Sequence, residues 1–277
     1  MIVWTITGFA DEVADDFEEQ LALMTELGVR FIEFRSAWGV RVLDLPDAQL
    51  RLAKQMLDDA GICVSALGTD LGKVRMDDDF TVHLDRAHRA ADVAWFLETS
   101  EVRGFSFYPP TGEDPAMYRK QVIDRLGRMA TIVDQAGARY LHENEKGIYG
   151  DTPERCADLA AHLDPHTFRL ILDPANYVQC GVRPFDEAYP LVRSATVYVH
   201  IKDATFPDGT VRPAGQGDAQ IPEILHALHN DGFDGYLSVE PHLGAVDAFG
   251  ALSGSGPWRT AHEALIDVLR AEDAEWA

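Results

Sequence analysis

Apolar residues recur along this chain in two alternating rhythms. Short β-branched or aromatic runs give way to longer stretches with apolar residues three to four apart, the signatures of strands and of amphipathic helices. Ile2–Gly8 reads as a strand. Phe17, Leu21, Met24 and Leu27 then mark a helix that Gly28 stops. Val29–Arg35 is the second strand, followed by a helix capped by Asp47 and ending near Gly61. Ile62–Gly68 precedes a helix over about Thr81–Thr99. Val102–Tyr108 precedes one carrying Tyr118, Val122, Leu126, Met129 and Val133 on one face.

The second half repeats the scheme. Ala138–Asn144 leads to a helix with Thr152 as N-cap and Pro153 as its first residue. Phe168–Asp173 leads to a short helix around Phe185–Val192, and Ala195–Lys202 to one entered at Ile221-Pro222 and closed near Gly232. Tyr236–Glu240 leads, through a glycine-rich loop, to a last helix beginning near Pro257. Eight strand–helix units imply a parallel sheet with right-handed crossovers. Units of this size predict an α/β fold, a (β/α)8 TIM barrel, with residues 1–277 as a single domain. An open doubly wound sheet is the alternative, but no Gly-x-Gly-x-x-Gly follows the first strand.

Composition narrows the function classes. With 24 basic and 46 acidic residues the formal charge is −22, which disfavours phosphate backbones and anionic membrane surfaces as partners. Three widely spaced cysteines make neither a disulfide framework nor a zinc ribbon. The apolar runs are too short to span a bilayer, and no secretory signal is visible, so a cytoplasmic protein is expected.

In such a barrel the chemistry sits at the C-terminal ends of the strands. Strands five to eight end in His142-Glu143-Asn144-Glu145, Asp173-Pro174-Ala175-Asn176, His200-Ile201-Lys202-Asp203 and Glu240-Pro241-His242. Glu143, Asp173, His200 and Glu240 would converge at the barrel mouth, where three carboxylates repel one another unless a cation neutralises them. Oxygen ligands with one nitrogen suit Mn²⁺ or Mg²⁺, with Co²⁺, Fe²⁺ or Zn²⁺ also able to bind. Taken singly, each acid could equally cap a helix or pair with a basic neighbour.

These strand ends, with Gly8-Phe9-Ala10-Asp11-Glu12 and Ile32-Glu33-Phe34-Arg35 at the first two strands, resemble the xylose-isomerase-like TIM-barrel superfamily, the sugar phosphate isomerase/epimerase group. The resemblance covers nearly the whole chain. It implies one divalent metal ion held by Glu143, Asp173, His200 and Glu240, and proton exchange with a keto-sugar or sugar phosphate by Glu143 and Glu240 as catalytic groups. A dication chelated by a carbonyl and its neighbouring hydroxyl acidifies the adjacent C–H, which a carboxylate can then remove. Many relatives carry His where this chain has Asn176, which can bind a substrate oxygen but not carry a proton. Related barrels include inosose dehydratases, which are lyases, and abasic-site endonucleases, which need more histidines and a basic groove. A non-catalytic sugar-binding barrel is the fourth reading, and a homodimer or homotetramer is compatible with all of them.

Further substrate contacts are expected from Lys202, which shares a strand face with His200, and from Arg35, His242, Phe9, Trp38 and Tyr108. Against these stand an ion pair of Lys202 with Glu145 or Asp203, one of Arg35 with Glu33, and plain packing for the aromatics. His142 and Asn144 should point away from the metal. Thr205–Gln220 reads as a loop over the site or a hairpin-like connector, and Lys146–Gly150 as a segment able to close over the metal. A phosphorylated ligand would need cations from among Arg35, Lys73, Arg103, Lys202 and Arg212.

Overall fold

The computed structural model describes residues 3–243, 245–247, 250–252, 254–272 and 274–277. Ile2 and part of the glycine-rich loop after the eighth strand (residues 244, 248, 249 and 253) lie outside the described residues. Eight parallel strands form the barrel wall: β1 Val3–Gly8, β2 Phe31–Phe34, β3 Cys63–Gly68, β4 Glu101–Gly104, β5 Arg139–Glu143, β6 Phe168–Leu172, β7 Thr196–Ile201 and β8 Tyr236–Val239. The ladder runs from β2 through β3 to β8 and on to β1, and β1 lies beside β2 to close the ring. A two-residue strand, Glu275–Trp276, adds to β1 as a ninth member that the sequence pattern does not announce.

The helices are α1 Phe17–Leu27, α2 Asp47–Ala60, α3 Phe80–Phe96, α4 Arg119–Asp134, α5 Pro153–His162, α6 Pro174–Gln179, α7 Tyr189–Val192, α8 Ile221–Asn230 and α9 Ser255–Ala271. Gly28 and Gly61 end α1 and α2 in the left-handed conformation, as their positions predict. Several expectations shift: α6 follows β6 directly, ahead of the short helix around Phe185–Val192 that is expected from the sequence. Asp47 opens α2 after Pro46 rather than capping it, and β4 stops at Gly104 instead of reaching Tyr108. Beyond Gly104 the chain leaves the ladder and pairs with the loop after β3, Phe105 N donating to Leu71 O at 2.7 Å and Phe107 N to Gly72 O at 2.8 Å.

Strand alternation sorts the wall into two faces. Tyr140, His142, Leu170, Leu172, Val199, Ile201, Leu237 and Val239 turn outward, and the apolar ones join the core beneath the helices. Leu141, Ile171 and Tyr198 turn inward with Ala66 and form the apolar plug of the barrel. Two residues further on, the same alternation brings Glu143, Asp173 and His200 to the inner face directly above that plug. The position of the site follows from the period of a strand. No helix among the described residues is long and apolar enough to cross a membrane.

Candidate metal centre

Glu143, Asp173, His200 and Glu240 are all buried, and one ligand atom of each lies within 4.8 Å of the others. His200 Nδ1 faces the three acids, 3.3 Å from Glu143 Oε1, 3.7 Å from Asp173 Oδ2 and 3.7 Å from Glu240 Oε2. It makes no hydrogen bond, and neither does Asp173 Oδ2, although Lys202 Nζ stands 2.9 Å from that oxygen. A buried imidazole nitrogen without a hydrogen bond is uncommon, and His200 Nδ1 shares one small space with the ion-paired Asp173 Oδ2. Three carboxylate oxygens and one imidazole nitrogen around it fit a hard or borderline divalent cation.

Burial disfavours charge on Glu143, His200 and Glu240, but the neighbours outweigh it. His200 and Arg103 hold the Glu143 carboxyl down to about 2 despite its desolvation. Burial opposes ionisation of Glu240 too, and Lys202 and His242 overcome it, so that carboxyl lies well below its ordinary range. Lys202 is the reciprocal case: desolvation opposes its charge, while Asp173 and Glu240 keep it an ammonium, with Nζ 2.6 Å from Glu240 Oε2. Its partners are therefore Asp173 and Glu240, and neither Glu145 nor Asp203. Asp203 instead accepts from the backbone N–H groups of Ala204, Gly217 and Ala219 and pins the segment after β7. That segment is a hairpin, Asp203–Thr205 against Thr210–Arg212, and so a connector.

Around the cluster opens a cleft of about 120 Å³ lined by Arg35, Asn176, Lys202 and His242, with Lys73, Arg103 and Phe105. Asn176 Nδ2 donates to Asn144 O at 2.9 Å and to Glu143 Oε1 at 3.2 Å. Arg35 binds Asp11 at 2.7 Å rather than Glu33. His242 has φ +45°, its N–H donates to Glu12 Oε2 at 2.8 Å, and its ring lies 3.3 Å from Glu240 Oε1. Burial pushes its imidazole down to about 4.

The three aromatics expected to meet a substrate, Phe9, Trp38 and Tyr108, do not line the cleft. Phe9 is fully buried, edge-on to His200 at 5.3 Å, with the Arg35 guanidinium 4.6 Å above its ring. Trp38 sits with Gly39 at the turn of a tight hairpin, both with positive φ, and its ring packs on Phe17 at 5.4 Å. The hairpin directs it toward α1. Phe105, in the segment that leaves β4, takes the place at the cleft wall. Lys146–Gly150 does not cover the cluster either: Ile148 and Tyr149 are buried, and Gly150 N donates to Ser106 Oγ at 2.7 Å. The same Ser106 holds His142 Nε2 at 2.9 Å on the outer face, while Asn144 braces β5 against Asp173 through two 2.9 Å hydrogen bonds.

Glu33 and Arg103, read in the sequence as a partner for Arg35 and as a cation for a phosphate, lie against the cluster instead. Glu33 is buried, accepts from His200 Nε2 at 3.0 Å and Ser238 Oγ at 2.8 Å, and lies 3.5 Å from Arg103 Nε. Arg103 reaches Glu143 Oε2 at 3.2 Å. The pattern contained a trace of both: each is a charged residue between apolar neighbours on a barrel strand, where an unpaired charge is prohibitively costly.

A sequence model described as the xylose isomerase-like TIM barrel matches residues 21–271. The chain belongs to that family. Within the family's fold, it superposes on the IOLI protein solved with a bound zinc atom at TM-score 0.79 and 17% identity, over 97% of this chain and 99% of that one. A D-tagatose 3-epimerase-like protein also gives TM-score 0.79, at 16% identity over 97% and 98%. At such identities the likeness concerns the fold. An uncharacterized protein of Methanocaldococcus jannaschii is 24% identical over 131 residues, and the match spans under half of either chain, 44% of this one and 45% of that one.

Proposed function

We propose that this protein is a divalent-metal-dependent sugar isomerase or epimerase, acting on a keto-sugar by proton transfer at the carbon beside the carbonyl. The observation that carries this reading is the convergence of Glu143, Asp173, Glu240 and the unpartnered Nδ1 of His200 on one buried space. Those four side chains would hold the ion. When bound, it supplies Lewis-acid polarisation of a ketose carbonyl, which lowers the acidity barrier of the neighbouring C–H.

The chain's own groups do the rest. Glu143 and Glu240 are ionised at neutral pH, so each can take a proton from substrate carbon and return it. Arg103 orients Glu143, and Lys202 orients Glu240. Asn176, Arg35 and His242 offer hydrogen bonds to substrate oxygens from the cleft wall. The unit that does this comprises residues 1–277 as one domain.

The test is manganese uptake by elemental analysis together with hydrogen exchange of ketohexoses in deuterated water, read by NMR. Wild type takes up one equivalent of metal and exchanges the α-hydrogen. Glu143→Gln and Glu240→Gln lose about 10²- to 10⁴-fold in exchange, and Asp173→Asn loses metal. Formation of an unsaturated product would make the enzyme a lyase. Absence of metal uptake would overturn the reading.

A further inference from the structure

We infer that the outer surface over α2 and α3 is where two copies of this chain meet, related by a two-fold axis, with Trp95 as the anchor. This goes beyond the isomerase reading and does not depend on it, since none of the residues concerned lines the cleft.

Trp95, on α3, leaves 72% of its surface in solvent. It stands at the edge of a hollow of about 470 Å³ whose wall includes Phe96 and four charged residues, Asp47 and Arg51 of α2 and Arg89 and Asp92 of α3. A single exposed aromatic residue is ordinary. One beside a concavity offers both halves of a self-complementary contact: a projecting indole, and a place for the indole of another copy. Tryptophan and arginine are also the side chains that most often carry the binding energy of such contacts.

Charge decides which partner fits. Two chains of charge −22 repel wherever acids face acids. The groove between α1 and α2 is lined by Leu21, Met56 and Ala60, but its charged residues, Glu18, Glu26 and Asp59, are all acidic. A second copy seated there would set acid against acid. The Trp95 hollow instead carries two acids and two arginines. Arg89 is held within the chain, Nη1 3.1 Å from Asp47 Oδ1 and Nη2 donating to Leu45 O at 2.9 Å. Arg51 and Asp92 are exposed and make no ion pair among the described residues. A two-fold rotation sets Arg51 of each copy against the partner subunit's Asp92, so one unused cation and one unused anion become two ion pairs around the indoles.

Sedimentation equilibrium of the whole chain measures the dissociation constant for wild type, Trp95→Ala, Arg51→Asp and the double swap of Arg51→Asp with Asp92→Arg. Circular dichroism checks that each variant folds. Expected is a wild-type dimer that forms below about 100 µM. Trp95→Ala should weaken it at least about 30-fold, and Arg51→Asp at least about tenfold. The swap should return to within about threefold of wild type, because it restores opposite charges across the axis. A wild-type chain still monomeric at that concentration, a dimer untouched by Trp95→Ala, or a swap no tighter than Arg51→Asp alone overturns the inference.

Discussion

His200 Nε2 lies 3.0 Å from Glu33 Oε2, joining β7 to β2 across the barrel axis. A carboxylate can only accept, so Nε2–H donates, and Nδ1 is left as the atom turned toward Glu143, Asp173 and Glu240. The pair selects which nitrogen faces the ion space and fixes the ring plane. Such outer partners of a ligating histidine are worth about 10- to 100-fold in metal affinity. Glu33→Gln is therefore expected to weaken manganese binding by that factor while the far-ultraviolet circular dichroism stays native. Unchanged affinity in a metal titration would show that Glu33 only fills space.

Lys202 places an ammonium against two of the same carboxylates. Removing it leaves buried acids uncompensated, a change that costs about 3 kcal/mol or more in other buried pairs. Lys202→Met should unfold at lower temperature than wild type without metal, recover most of the difference when manganese is added, and bind manganese more tightly. Equal melting temperatures with and without metal would refute the account.

His142 is fully buried, and desolvation pushes its imidazole down to about 3. An unfolded histidine titrates near 6.5, so above that pH both states are neutral and this residue adds no pH dependence. Below it the unfolded chain takes up the proton first. Stability is lost as the pH falls from about 6.5 toward 3, by about 1.4 kcal/mol per pH unit from this group. Urea titrations across that range should show a shallower decline for His142→Phe than for wild type. Parallel curves would mean the folded protein protonates His142 readily.

Gly72 has φ +82°, and a Cβ there would collide with the backbone of Phe105, which forms part of the cleft wall. Its N–H donates to His83 Nε2 at 2.6 Å. Gly72→Ala adds both a strained backbone and a steric clash, with an expected loss of ~2 kcal/mol or more in chemical denaturation. It should also weaken ketose binding, because Phe105 has to move. Wild-type stability in that variant would contradict the packing described.

The periodicity of the chain was enough to read eight strands, their order and the closed barrel, because a strand's two-residue repeat and a helix's cap are local properties. The same repeat told which residues of strands five to eight share the inner face, hence the quartet at the mouth. Pairing was not legible. Arg35 meets Asp11 rather than Glu33, Lys202 meets Asp173 and Glu240, and Glu33 is drawn to His200 from five strands away. Such choices depend on which charges the closed ring brings within reach in a dry interior, where one ångström changes the winner. The placing of Trp38 behind α1 and Phe105 at the cleft was likewise decided in three dimensions, by a hairpin turn and by a chain that left the β4 ladder to pair with its neighbour's loop.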